Sequence, residues 1–113
     1  MTTILAPISL GELVDKITIL EIKLEKINDI AKKDIVRNEL TQLTKLFNSL
    51  SVPDISSKRE ELKLINRELW SIEDDKRQHE EDQNFDQNFI NLARNVYIKN
   101  DARARVKRDI NIV

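Results

Sequence analysis

At 113 residues the chain is long enough for one domain that buries roughly two-thirds of its unfolded surface, and short enough for oligomerisation to help. Charged residues make up 35% against a typical ~25%, while one glycine, two prolines and 4% aromatics leave little material for β-sandwiches or barrels, so helices are expected. Nineteen basic and twenty acidic side chains give a net charge of -1, which excludes a global field toward nucleic acid or membrane, and the absence of cysteine excludes disulfides, thiolate nucleophiles and cysteine-based metal sites.

No apolar run approaches the length of a bilayer span, and the N-terminus lacks the charged start and apolar stretch of a signal peptide. A soluble, cytoplasmic protein is the expectation. Residues 1–8 hold Ile4, Leu5, Pro7 and Ile8. Because Pro7 disfavours helix at Ala6, this segment is predicted to be an extended arm lying across the bundle. Ser9 then caps a first helix over about 9–28, with Glu12 completing a capping box and Ile8 placed to staple onto Leu13. Leu10, Leu13, Ile17, Leu20, Leu24 and Ile27 alternate by threes and fours, the seam of a packed or coiled-coil helix. A second apolar set, Val14, Ile19, Ile22 and Ile30, lies off that seam, so this helix is expected to touch more than one partner.

A second helix over about 32–50, capped by Asp29 or Asp34, carries Val36, Leu40, Leu43, Phe47 and Leu50, and its short connection returns it antiparallel to the first. Pro53 ends it, and Asp54 or Ser56 starts a third helix over about 56–82. There the stripe Leu62, Ile65, Leu69 and Ile72 runs on to Lys76 and His79, so the far end is wetter and projects. Asp86 caps a last helix over about 86–111, with Phe85 stapling near Phe89 or Ile90, and Asn100-Asp101 either interrupt it or lie within it. The fold class is therefore all-α: an antiparallel bundle of three to four helices with an N-terminal arm, in one domain spanning 1–113.

Counting residues from the bundle floor places Lys23, Trp70 and Tyr97 at similar heights, with Glu73, Asp74 and Arg94 about one turn away. Residues 68–86 hold eight acids and two bases, whereas 94–113 hold six bases and two acids, so the last two helices are charge-complementary where Arg94 meets Glu73 to Asp75. The basic run from Arg103 to Arg108 resembles a phosphate-gripping arm, but no aromatic residues interleave with it, so nucleic acid is disfavoured as a partner. Glu12 with Asp15, and Glu60 with Glu61, have a spacing compatible with Mg²⁺, yet capping and the helix macrodipole already account for Glu12, Glu60 and Glu61. His79 is the single histidine and is expected to be exposed and non-catalytic. Large aromatics at helical spacing, Trp70 among them, are expected in the core. No catalytic, metal-binding or cofactor-binding residue is assigned, and no cofactor is implied.

Four strings, Gly11 to Ile27, Leu69 to Arg77, Phe89 to Asp101 and Lys107 to Asn111, together resemble a family of small uncharacterised helical proteins of bacteria and their phages. The positions matching its motifs are Glu12, Asp15, Lys16, Thr18, Lys23, Trp70, Glu73, Asp74, Arg77, Arg94, Tyr97, Asn100, Asp101, Arg103, Lys107 and Asn111. The family pattern continues past the final Asn into a charged tail, whereas this chain stops at Ile112-Val113. The resemblance carries no activity.

Two functions follow. The first is a non-catalytic interaction module whose unsaturated seams pair with a second copy, as a dimer, or with a partner protein. The second is a ligand or enzyme site between helices built from Lys16, Lys23, Trp70, Glu73, Asp74, Arg94, Tyr97, Asn100 and Asp101. The two-sided apolar helices favour the first.

Overall fold

The computed structural model describes residues 2–113. Four helices follow in order, α1 (Leu10–Lys26), α2 (Ile30–Asn48), α3 (Ser56–Glu81) and α4 (Gln87–Asn111), and the described residues contain no strand. The fold is an all-α bundle, as composition and spacing predict.

α1 starts where Ser9, held in the extended region, accepts a hydrogen bond on Oγ from the Glu12 backbone N–H at 3.1 Å. The Glu12 half of the expected capping box is replaced by a longer-range contact: its carboxylate takes the Lys107 ammonium at 2.6 Å. Seam residues Leu13, Ile17 and Leu20 are buried, and so are Val14 and Ile22 from the off-seam set. Burial on two faces has a direct cause, since α1 packs against all three other helices.

α2 is capped by Asp29, whose Oδ1 accepts from the Lys32 N–H, and so begins at Ile30 rather than near residue 32. Its backbone approaches α1 alone. Val36 is buried, Leu40, Leu43 and Phe47 are half-buried, and Phe47 reaches α3 through the Arg59 guanidinium, 5.6 Å from the ring centre. After Pro53, Asp54 Oδ1 accepts from both the N–H (2.9 Å) and the hydroxyl (2.7 Å) of Ser56, which turns the chain into α3 and buries Ile55. The core is then Val14, Ile55, Leu62, Ile65, Leu69, Val106 and Ile110, with Leu10, Phe47 and Ala102 packed against it.

α3 and α4 run antiparallel and outlast α1. At 1.5 Å per residue, 26 residues span ~39 Å against ~25 Å for the 17 of α1, so the α3–α4 hairpin projects from a molecule of 48 × 35 × 23 Å. Gln83, in the left-handed region at φ 52°, closes α3. Asp86 then caps α4 on the Phe89 N–H at 3.1 Å, and Phe85 stacks edge-on to Phe89 at 5.2 Å. His79 is half-buried, not exposed: its Nδ1–H donates to the Asn84 carbonyl at 2.9 Å and its ring lies 5.9 Å from Phe89, because the returning chain folds over it. α4 continues unbroken through Asn100-Asp101, since Asn100 Oδ1 accepts from Arg103 along the helix surface and caps nothing.

The arm does not lie across the bundle as expected. Ile4 is 81% and Leu5 98% exposed, because the space beside Leu10 is already filled by core side chains from the loop before α3 and from α4.

Candidate functional site

Three polar side chains sit in the core, and all three belong to one network. Asp15 is 1% exposed and faces α4 and α3 together. Its Oδ1 accepts from Arg103 Nε and from Asn66 Nδ2, each at 2.9 Å, and its Oδ2 accepts from Arg103 Nη2 at 2.5 Å, with Lys107 Nζ 3.7 Å away. Thr18 donates its hydroxyl to the Asp15 carbonyl at 2.8 Å and accepts the second Asn66 N–H at 3.0 Å. The two-pronged Arg–carboxylate geometry is the strong form of this contact. Burial pushes the Asp15 carboxyl up, but the Arg103 hydrogen bonds, the Asn66 amide and the charges of Arg103 and Lys107 outweigh it and hold the group below the usual carboxylate range. Reciprocally, the Asp15 carboxylate raises Arg103.

One turn toward the N-terminus the α1–α4 contact tightens. The Gly11 N–H, unsatisfied within the first turn of α1, donates to Asn111 Oδ1 at 2.6 Å. A Cβ at position 11 would collide with the Lys107 carbonyl oxygen and lie 2.8 Å from Asn111 Oδ1, so glycine is what allows the close approach.

Beside the network a cleft of about 280 Å³ opens between α1, α3 and α4, with Ile19, Ile22, Leu69 and Trp70 as its apolar wall. Asn66, Glu73, Arg77 and Arg103 supply its polar groups. These are largely spent on neighbours: Arg103 on Asp15, Arg77 on Asp74, and Glu73 within 3.7 Å of Lys76. Asn66 differs. It is only 5% exposed, both of its amide hydrogens are used, and its Oδ1 accepts no hydrogen bond among the described residues.

Of the nine candidate residues, Trp70 and Glu73 line this cleft. Trp70 is a half-buried wall residue rather than a core one. The Glu68–Lys99 ion pair and the His79–Phe89 contact set a register that puts Trp70 level with Tyr97, yet Tyr97 is 55% exposed. Lys23 is half-exposed on α1 without an ion pair among the described residues, and exposed Lys16 lies 4.0 Å from Glu12. Asp74 pairs with Arg77, Asn100 accepts from Arg103, and Asp101 and Arg94 are exposed. Arg94 therefore does not meet Glu73 to Asp75: Glu73 and Asp74 take partners three residues along their own helix, and the α3–α4 charge match runs through Glu68–Lys99 and Lys58–Asp109. Glu12 and Asp15, weighed for Mg²⁺, are engaged by Lys107 and Arg103, whose cationic heads stand where an ion would.

The buried network is what residue spacing missed. Asp15, Thr18, Arg103, Lys107 and Asn111 match the family motifs, but none entered the candidate cluster, and Asn66 matched neither. The available signal was an amide four residues after Leu62 and three before Leu69, on the flank of an apolar stripe.

A family model covers residues 4–113. The chain belongs to a family of unknown function (DUF6165). No curated protein and no solved structure matches it.

Proposed function

We propose that this member of the DUF6165 family is a non-catalytic helical module that works by self-association. The observation that carries the reading is the set of apolar side chains left exposed in two places: Ile4 and Leu5 on the arm, and Ile35 and Leu46 along a flank of α2 that no other helix covers, with Leu50 just past its end. A chain this rich in charge has polar residues to spare for those positions. The chemically active side chains point the same way, since Asp15, Arg103, Glu12 and Lys107 are engaged with one another and hold α1 to α4, while Asn66 ties in α3. A net charge of -1 favours protein over nucleic acid as the partner. Among the described residues no helix is long and apolar enough to cross a membrane. The narrower likeness to small helical proteins of bacteria and their phages is supported by the four motif strings. Light scattering on the eluting protein tests the reading: a mass near twice 13.2 kDa at micromolar concentration is expected, and a monomer across the whole accessible range overturns it.

A second reading, a ligand-binding or enzymatic bundle, is favoured by the cleft that Trp70 and Glu73 line. Copurified small-molecule density in that cleft, in crystals of the purified protein, would support it. A cleft filled by protein would count against it.

A further inference from the structure

Two features of the molecule lack a counterpart within it. The cleft between α1, α3 and α4 presents an apolar wall and, at its polar edge, Asn66, a residue 5% exposed whose Oδ1 is open to the cleft and takes no hydrogen bond from the described residues; both of its N–H groups are spent on Asp15 and Thr18. What fits there is an uncharged apolar group carrying a hydrogen-bond donor. The arm has that composition. Residues 2–8 carry no charged side chain, Ile4 and Leu5 are almost wholly exposed, and no backbone N–H of the segment bonds within the chain among the described residues. Neutral arm and internally neutralised cleft are matched in charge as well, since Arg103 and Arg77 are held by Asp15 and Asp74.

Resting on the self-association reading, we infer that the cleft of one copy seats the N-terminal arm of a second. Leu5 lies against Ile19, Ile22, Leu69 and Trp70, Ile4 points the other way as successive side chains of an extended segment do, and a backbone N–H of the arm donates to Asn66 Oδ1. An apolar anchor gives the area and a single main-chain donor orients it. Seven residues reach ~25 Å when extended, so the arm can extend well clear of the start of α1. A two-fold axis makes the exchange reciprocal, so each association fills two clefts.

Trp70 is the only tryptophan, so its fluorescence reports the cleft directly. The full chain is followed by sedimentation velocity and by Trp70 emission over the same concentration series, alongside Leu5→Asp, which alters a fully exposed residue and leaves the fold intact, and Ile35→Asp on the α2 flank. Expected for the native chain are dimer formation and a blue shift of Trp70 emission with one common midpoint. Leu5→Asp is expected to move that midpoint at least tenfold higher and to hold the emission at its monomer position. Dimerisation of Leu5→Asp at the native midpoint overturns the inference. If Ile35→Asp abolishes that dimer, self-association stands and runs through α2. Emission that responds to Leu5→Asp in a chain that never dimerises assigns the cleft to the chain's own arm, and overturns both exchange and self-association.

Discussion

Asp15 is the residue on which the packing of α1, α3 and α4 turns, and its environment gives it a defined signature in acid. Its carboxyl is held below the ordinary value of 3.8, so the stability it contributes is complete above the unfolded-state value and is lost as the pH falls through the lower native one. Asp15→Ala strands Arg103 and the Asn66 amide, and urea unfolding at neutral pH should register a loss of about 3 kcal/mol. That is the low end for a broken buried pair, because the Arg103 side chain is 28% exposed and regains some water. The same variant should show a flatter fall in stability between pH 5 and pH 2 than the native chain does. Gly11 makes a second test, in which two effects oppose. Helix propensity alone predicts that Gly11→Ala stabilises α1 by about 1 kcal/mol. The collision with the Lys107 backbone oxygen outweighs that, because a carbonyl inside a helix cannot swing away as a side chain can. A net loss of about 1–3 kcal/mol by thermal or urea unfolding is expected, and a stabilised variant would show that α1 and α4 are less closely apposed than the structure has them.

At the scale of elements, caps were the most legible feature of the chain. Ser9, Asp29 and Asp86 each precede a helix by one residue, and each accepts a backbone N–H there with its side chain. Local chemistry of that kind needs no knowledge of the rest of the fold. Asp86→Ala removes the α4 cap at the tip of the hairpin, where no core packing compensates, and should cost about 1 kcal/mol while lowering helical circular dichroism only near that end. Features that depended on a neighbour were read less well. Local spacing makes Glu12 a capping-box partner because the Ser9 backbone N–H is the nearest donor in sequence, yet Lys107, 95 positions away, competes for the carboxylate and takes it. Arg94 looked like a partner for the acidic stretch of α3 because height matched. Height is only one coordinate, and the angular position of Arg94 on α4 leaves it exposed.

Across the whole molecule, α1 is the shared wall of the bundle, while α2 and the hairpin tip are each held from one side. Hydrogen exchange followed by mass spectrometry should therefore rank the amides around Leu13 to Ile22, Leu62 to Leu69 and Val106 to Ile110 slowest. The outer turns of α2 and residues 75–92 should exchange well ahead of global unfolding, and uniform protection along the chain would contradict this hub arrangement. Periodicity and capping residues were enough by themselves to determine an all-α bundle, four helical segments and the central role of α1, because a 3.6-residue repeat and a capping side chain act within a few positions of one another. The tertiary structure alone decided that Asp15, Asn66 and Arg103 share one buried network, that Trp70 borders a cleft while Tyr97 stands in water, and that the arm leaves the surface. Each of these depends on the angle and rotation at which one helix meets another, which contacts far apart in the sequence set and which no local repeat of residues encodes.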